Sequence, residues 1–530
     1  MTSVANRRNR TTQETFTKLI LQRPAVLVTV LALGLYLSTL TAEYYWDGLA
    51  FAGQIERVAR GDQGIDSLFH RNHLIYNPIV YVFYVIVRSL GLSVRALTIM
   101  QIISALSCAF GVAVFFQMAR RISGSLYVAS VGSALLAVST CWWRSATDAD
   151  AYSLSVALVL ICLSAVLSET PRWYVAGATL AGAILVHELA FLSYPAAVTA
   201  VFLSNRIQNR LAFAIKLTLL ALGVTFAAYY ACAAVLFDIG LPLDVMKWTA
   251  SNPYGVSFSN PIKQLPAFPK YQVDLIFGHS LKGFRRFGGA TEWTFAVLGI
   301  TAAFISIAVF RRRASIREIA RSFWPERSDR DAEWRRVAAL ILVWVIPYVL
   351  FLLTWEPYFL HYRVYYLPPL VLWFVLALTN YHRKTGRTPS GAVALAVLAL
   401  SFCNLAFFIG PHIRDSSNLL VVAAKQANSK WNEHTVIYFT DSSPVDGAFQ
   451  YFNPETEWRG ATPKAIMRLD DEIQRIDAEG GSVWLNDRAA KSVSPVWLSE
   501  RAYGNVINVQ LDTESYVYVQ LSPARQSVLR

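Results

Sequence analysis

Carboxylates are missing from every long apolar stretch of this 530-residue chain. Charge of either sign is scarce: Asp, Glu, Lys and Arg make up 16% of the residues, against 55% hydrophobic ones. Such a balance, with a mean hydropathy of +0.38, argues against an ordinary soluble enzyme. Cysteine is also rare. The five thiols (Cys108, Cys141, Cys162, Cys232, Cys403) all fall inside apolar runs, so no pair is available to a soluble part and no CxxC metal spacing exists. There is no HExxH spacing, no internal repeat, and no clear small-residue cleavage site after Arg7, Arg8 and Arg10. The N-terminus therefore reads as an uncleaved first span. The excess of +13 does not point to nucleic acid, because most basic residues sit in short blocks between apolar runs.

What is present is a series of runs near the 17–25 residues, roughly, that cross a bilayer. They lie near 24–42, 75–91, 96–118, 125–142, 151–168, 173–186, 189–204, 211–236, 293–310, 337–354, 365–380 and 391–409. The basic blocks are 7–23, Arg120–Arg121, Arg206–Arg210, Arg311–Arg336 and His382–Arg387. All five face the cytoplasm only if 75–91 does not span. That run carries Asn77, Pro78, Arg88 and several tyrosines, which suits a helix lying in the interface. The expectation is an α-helical polytopic membrane protein with about eleven spans. It has a cytoplasmic segment 1–23, a transmembrane domain 24–410, external loops 43–95 and 237–292, and an amphipathic charged cytoplasmic loop near 315–335. The tail 411–530 changes character, with strand-like stretches at Thr435–Thr440, Ser482–Leu485 and Tyr516–Leu521 and a helical segment near Ala465–Ala478. It is expected to form a small extracytoplasmic α/β domain.

With that parity the acidic residues at helix ends share one side. Asp47 follows the first span in Tyr44-Tyr45-Trp46-Asp47-Gly48. A carboxylate in a low-dielectric cleft can accept a hydroxyl proton; the bland alternative is a helix-capping Asp in an aromatic belt. Asp148 and Asp150 lie in Arg144-Ser145-Ala146-Thr147-Asp148-Ala149-Asp150-Ala151-Tyr152. One Asp satisfies a helix N-cap; two with Arg144 behind them exceed it. An Asp-x-Asp pair can also hold a divalent cation, though the spacing is common. His187-Glu188 reads equally as a polar hairpin tip or as part of a cavity. Arg363, within Trp355-Glu356-Pro357-Tyr358-Phe359-Leu360-His361-Tyr362-Arg363, can clamp a phosphate or anchor a span in the interface. Lys263, Lys270, His279, Lys282, Arg285 and Arg286 make the 237–292 loop basic, which invites a phosphate-bearing ligand.

In order and spacing these motifs resemble the GT-C class of membrane glycosyltransferases. Within it they are most similar to the protein O-mannosyltransferase and lipid A aminoarabinose transferase branch. Trp46-Asp47-Gly48 stands where that class has an acidic residue in its first external loop. His73-Leu74-Ile75-Tyr76-Asn77-Pro78-Ile79-Val80-Tyr81 echoes a His-Pro-Pro-Leu-Tyr juxtamembrane segment. Ala119-Arg120-Arg121-Ile122-Ser123-Gly124 resembles the cytoplasmic Ala-Arg-Arg-Leu-Phe-Gly turn. Ser145 to Asp150 resembles the second acidic motif, and Tyr362-Arg363 to Pro369 an Arg-Tyr-Leu-Leu-Pro segment. The chain departs from the pattern in relaxing the His-Pro-Pro core to Tyr76-Asn77-Pro78, in one extra residue before the prolines, and in His187-Glu188 replacing a Lys-Gly pair.

The resemblance implies an inverting transfer at the outer face, from a polyprenyl-phosphate sugar donor to a protein, glycan or lipid acceptor. It implies Asp47 as general base, Asp148 and Asp150 as groups positioning acceptor or base, and Arg363 holding the donor phosphate. His73, His187, Glu188 and Tyr362 are taken as substrate contacts. No cofactor is expected beyond a cation at Asp148/Asp150, and no nucleic acid. A transporter or flippase of a lipid-linked saccharide is the rival class, disfavoured by spans without acidic residues and the lack of a repeat. A metal-dependent oligosaccharyltransferase-like enzyme is a second alternative, disfavoured because the tail has no Trp-Trp-Asp motif. An inactive scaffold relative is a third. Without disulfide-ready cysteines or an organellar signal, a bacterial inner membrane is the expected location.

Overall fold

The computed structural model describes residues 24–250, 260–278, 290–313, 331–355, 359–386, 390–414, 418–440, 444–501, 505–511 and 514–522. The expected segment 1–23, Glu356 to Tyr358, His279 to Arg286 and most of the 315–335 loop lie outside them. The longer helices are α1 (Pro24–Leu37), α2 (Trp46–Arg60), α3 (Tyr76–Ser89), α4 (Ala96–Ser123), α5 (Leu126–Val138), α6 (Thr140–Thr147), α7 (Tyr152–Val166) and α8 (Trp173–Val186). They continue as α9 (Tyr194–Leu203), α10 (Arg210–Phe237), α11 (Pro242–Ala250), α12 (Phe268–Phe277), α13 (Ala290–Arg313), α14 (Asp331–Thr354), α15 (Leu367–Thr385) and α16 (Ser390–Asn404). In the tail follow α17 (Leu419–Ala427), α18 (Pro444–Phe452) and α19 (Leu469–Ala478).

By length and composition four described helices can cross a membrane: Ala96–Ser123, Arg210–Phe237, Trp334–Thr354 and Gly391–His412. Five shorter apolar helices accompany them: Pro24–Leu37, Tyr152–Val166, Trp173–Val186, Glu188–Leu203 and Trp293–Ala308. The chain is thus a mostly helical, multi-pass membrane protein carrying one small sheet. α3 is not among these spanning candidates. It is amphipathic, burying Tyr76, Asn77, Val80 and Tyr84 while Val82, Phe83 and Ile86 stay exposed.

The chain divides into two compact units: residues 1–40, 61–94 and 98–411 form the first, and residues 41–60, 95–97 and 412–530 the second. In the first, α4 lies deep in the bundle, with 72% of its apolar window buried, whereas α10 has only 17% and turns its surface outward. The run 125–142, expected as one span, is broken: α5 and α6 meet at Ser139 with a bend of 61°. Ser139 leaves the helical conformation (φ −63, ψ 135), and Trp142 and Trp143 are driven into the core. A broken helix frees a carbonyl that lipid cannot satisfy. Asn404 satisfies it, its amide donating to Val138 O at 2.7 Å and to Ile276 O at 2.7 Å. Gly278 closes α12 with φ +66, and a Cβ there would lie 2.9 Å from Phe408 and Thr140. Only glycine allows that turn and that approach, which seats α12 against α6.

The second unit holds a five-stranded sheet of β1 (Thr435–Phe439), β2 (Glu457–Gly460), β3 (Ser482–Asn486), β4 (Val506–Leu511) and β5 (Glu514–Leu521), in the order β2-β1-β3-β5-β4. β1 pairs parallel with β2 and β3, while β5 runs antiparallel to β3 and β4. Alternation along the strands divides the core. Val436, Val483 and Leu485 meet Leu469, Ile473 and Ile476 of α19 on one face. Ile437, Trp484 and Tyr518 meet Trp431 and Phe449 on the other. Residues 41–60 and 95–97, expected in the first external loop and at the start of a span, cluster with this tail. Arg95 Nε lies 2.8 Å from Glu56, its guanidinium donates to Tyr451 O at 2.8 Å and stacks 4.0 Å over the Tyr451 ring. The segment expected as one helix near 465–478 is interrupted at Arg468, where α19 starts afresh.

Candidate active site

The site grows from the break after α6. Asp148 ends that helix, its backbone N–H donating to Arg144 O at 3.1 Å; its Oδ1 accepts from Ala149 N at 2.8 Å and its Oδ2 pairs with Arg144 at 3.2 Å, one turn back. Both residues are buried, so the pair shields a charge that would be costly alone. Asp150, 3% exposed, divides its carboxylate between two tasks. Oδ1 accepts from Ser153 N (3.2 Å) and Ser153 Oγ (3.1 Å), capping α7 as the bland reading requires. Oδ2 faces His361 Nδ1 at 3.3 Å, 211 residues away in sequence. Burial raises the Asp150 carboxyl above the ordinary range, and the His361 contact works against that shift.

Tyr152, the first residue of α7, sits at the centre of a ring cluster. Its centroid lies 4.4 Å from His187, 5.5 Å from Tyr362, 6.1 Å from His361 and 6.3 Å from His73. His73 and His187 meet edge to face at 4.4 Å. His187 is the C-cap of α8 and its Nδ1 accepts from Leu189 N at 3.1 Å, which leaves the proton on Nε2. Burial and the neighbouring His70 push His187 down to about 3. His70 itself is pushed down to about 4 by burial and by Arg71, and His73 is lowered by burial and by its two imidazole neighbours. At neutral pH the trio is uncharged, so it can pack against a sugar without needing a counter-ion.

Arg363 follows His361 in a short 3₁₀ turn (His361–Tyr365) and is 2% exposed. Its guanidinium lies 4.6 Å over the Tyr271 ring and donates to Tyr271 O, so α12 aims it. Burial lowers the pKa of Arg363. The Cys141 thiol donates to Leu360 O at 3.3 Å, which ties the start of this turn to α6.

Glu188 opens onto a cavity of about 570 Å³ lined mainly by Ile184, Leu189, Leu222, Phe226 and Phe351. Its carboxyl is accessible from the cavity yet surrounded by apolar wall. That desolvates it without covering it and pushes it up to about 7, with Arg71 opposing. Because the folded value is raised, the neutral carboxyl favours the native state and that contribution is lost as pH rises through about 7. An ionised Glu188 puts a charge in this apolar wall, so binding of an apolar chain in the cavity is expected to weaken over the same range. Titration calorimetry with a polyprenyl phosphate from pH 6 to pH 8 checks it, and Glu188→Gln should flatten the dependence.

Asp148, Asp150, His73, His187, Glu188, Tyr362 and Arg363 are all in the first unit. Asp47 belongs to the second, in the first turn of α2 and half-buried. Among the described residues no group of three His, Cys, Asp or Glu side chains is arranged to hold a metal ion. With Asp148 paired to Arg144 and Asp150 turned to Ser153 and His361, the donor set does not fit a cation. His361, Tyr152, Arg71 and Tyr271 were not singled out by sequence reasoning. His361 and Tyr152 stood within quoted motifs, and a flanking His70-Arg71 beside His73 was the available signal.

The chain is similar to ArnT. The solved structure of ArnT from Cupriavidus metallidurans in the apo state covers 93% of this chain and 97% of that one, at 13% identity and a TM-score of 0.47. The same protein bound to undecaprenyl phosphate covers the same shares at 14% identity and a TM-score of 0.45. No family model matches the sequence, and no curated protein matches it.

Proposed function

We propose that this chain is an inverting glycosyltransferase. It moves a sugar from a polyprenyl-phosphate carrier to an acceptor at the outer face of a bacterial inner membrane. The observation that carries the reading is the juxtaposition in the first unit of a buried carboxylate, a buried guanidinium, a cage of neutral rings and an apolar cavity. Each answers one demand of the reaction. Arg363 supplies fixed positive charge for the departing lipid phosphate, where a planar fork of donors suits its oxygens. Tyr152, Tyr362, His73 and His187 offer ring faces and N–H or O–H groups to a sugar. The Glu188 cavity takes apolar chain. Attack at the anomeric carbon needs the acceptor hydroxyl deprotonated, and the motif order assigns that to Asp47. The hydroxyl oxygen forms the new bond while the bond to phosphate breaks on the opposite face, and polyprenyl phosphate leaves with both electrons. Asp150, held by Ser153 and His361, orients rather than reacts.

Membranes containing the full chain, supplied with a panel of radiolabelled polyprenyl-phosphate sugars, should transfer label to endogenous acceptor and release the lipid phosphate. Arg363→Met is expected to raise the KM for the donor about ten- to hundredfold, the loss of a charge-assisted hydrogen bond. Release that is equally fast at low donor concentration with Arg363→Met would remove Arg363 from the phosphate site. Uptake of labelled donor across sealed vesicles without transfer would favour the flippase reading instead.

A further inference from the structure

The first turns of α4 stand beside the candidate active site: Gln101 donates to Thr147 O at 2.9 Å and Ser104 to Asp150 O at 3.3 Å. Arg121 lies 17 residues after Ser104, which on a helix is about 25 Å away and close to the thickness of a bilayer core. At that far end a second cavity of about 320 Å³ is lined by Arg121 at the end of α4, Arg206 after α9 and Arg336 near the start of α14. The three arginines come from three basic blocks separated in sequence. Only the fold brings their like charges to one concavity, with Met118, Leu203 and Leu340 as its apolar floor.

A basic helix end is usually no more than a solvated face. Two features separate this one from that case. Arg121 is held in place by Ser164 of α7, whose carbonyl and hydroxyl both accept from its guanidinium at 3.2 Å. It also feels Arg206 as a like charge, with Glu169 the acidic group acting on it. Arg206 further lines an adjoining cavity of about 320 Å³ that contains Lys216, whose ammonium lies 5.7 Å over the Trp173 ring. The cationic surface therefore continues beyond the first pocket. A soluble phosphate would need the guanidinium groups alone, whereas a charged rim over an apolar floor at membrane depth matches a headgroup with its first acyl carbons.

We propose that this pocket binds the phosphodiester headgroup of an anionic phospholipid in the leaflet opposite the candidate active site, the cytoplasmic one by the charge rule. The three guanidinium groups hold the phosphate and the acyl chain leaves over Met118, Leu203 and Leu340. The inference does not rest on the transfer reaction, because its readout is lipid retention.

The test uses the full-length chain in a neutral detergent, with phosphatidylglycerol in mixed micelles and bound lipid counted by native mass spectrometry. Replacing Arg121, Arg206 and Arg336 together with Gln is expected to weaken retention about a hundredfold, at about fivefold per arginine. Replacing all three with Lys should keep retention within about tenfold of the unmutated chain, since the charge is preserved. Elution volume and melting in phosphatidylcholine micelles identify a folded variant. Phosphatidylcholine is expected to be retained equally by all three proteins. Equal retention of phosphatidylglycerol by the folded Gln variant and the unmutated chain would overturn the proposal. Displacement of the lipid by inorganic phosphate at equal concentration would overturn it too, in favour of a soluble phosphate.

Discussion

Transfer by Asp47→Asn is expected to fall by about two to four orders of magnitude, the usual worth of a positioned general base. Asparagine is nearly isosteric, and Asp47 stands at the second residue of α2, inside its first turn rather than at the cap position. What α2 loses is the favourable interaction of a carboxylate with its N-terminal dipole, about 0.3–1 kcal/mol. The two readings of Asp47 therefore separate by magnitude. A dipole role alone predicts a melting temperature lowered by a few degrees at most, roughly what 1 kcal/mol does to a domain, with transfer intact. A base predicts the same small change in melting and almost no transfer. Labelled-sugar transfer and thermal melting on one preparation decide it: transfer equal to that of the unmutated chain would remove Asp47 from the chemistry. Loss seen with Asn and reversed by Glu, which restores a carboxylate at a slightly different reach, would place the defect in proton transfer rather than in folding.

Asp150→Asn is the second large effect, expected at about a hundredfold in kcat/KM. The amide oxygen can still accept from Ser153 and cap α7, but the atom facing His361 becomes an NH₂ group in place of a charged acceptor. The ring then loses that acceptor, and the short segment from His361 to Arg363 loses a constraint at its first residue. His361→Gln should cost a similar factor. The double variant should cost little more than either single one, because both break the same contact. Additive losses would mean that the two residues act independently.

The acid side of the pH profile carries a further check. Burial raises the Asp150 carboxyl, so protonation should remove activity at a pH above the roughly 4 of an ordinary aspartate. The stability sign is opposite. A raised carboxyl means the native state binds its proton more tightly than the unfolded chain. Ionised Asp150 therefore costs stability as pH rises through its folded value. Asn removes that cost, so the variant should melt no earlier than the unmutated chain at pH 8 while transferring far less. A variant that instead melts early would point to a structural role.

Much of the secondary structure could be read from local pattern. Apolar runs long enough to cross a bilayer become helices because lipid leaves the backbone no other partner. The runs at 24–42, 96–118, 151–168 and 211–236 correspond to α1, α4, α7 and α10. In the tail, alternation over Thr435–Thr440, Ser482–Leu485 and Tyr516–Leu521 marked β1, β3 and β5. It missed β2 and β4, whose register depends on neighbours. Ser139 gave no warning of a break, because serine is tolerated inside an apolar helix. The bend exists only with Asn404 there to satisfy Val138 and two tryptophans to fill the core beside it.

The places where carboxylates can stand were likewise legible in the sequence. Carboxylates excluded from apolar runs must gather at their ends, so Asp47, Asp148, Asp150 and Glu188 could be singled out one by one. Their partners could not. His361 reaches Asp150 across 211 residues, Tyr271 aims Arg363 from α12, 92 residues earlier, and Arg121, Arg206 and Arg336 converge from three separate blocks. Residues 41–60 cluster with a tail that begins some 350 residues later. Composition and periodicity act within a few turns of chain, and they decided which segments are buried in lipid and where charge is allowed. Which charge meets which ring is a long-range contact, and only the packing of the helices decided it.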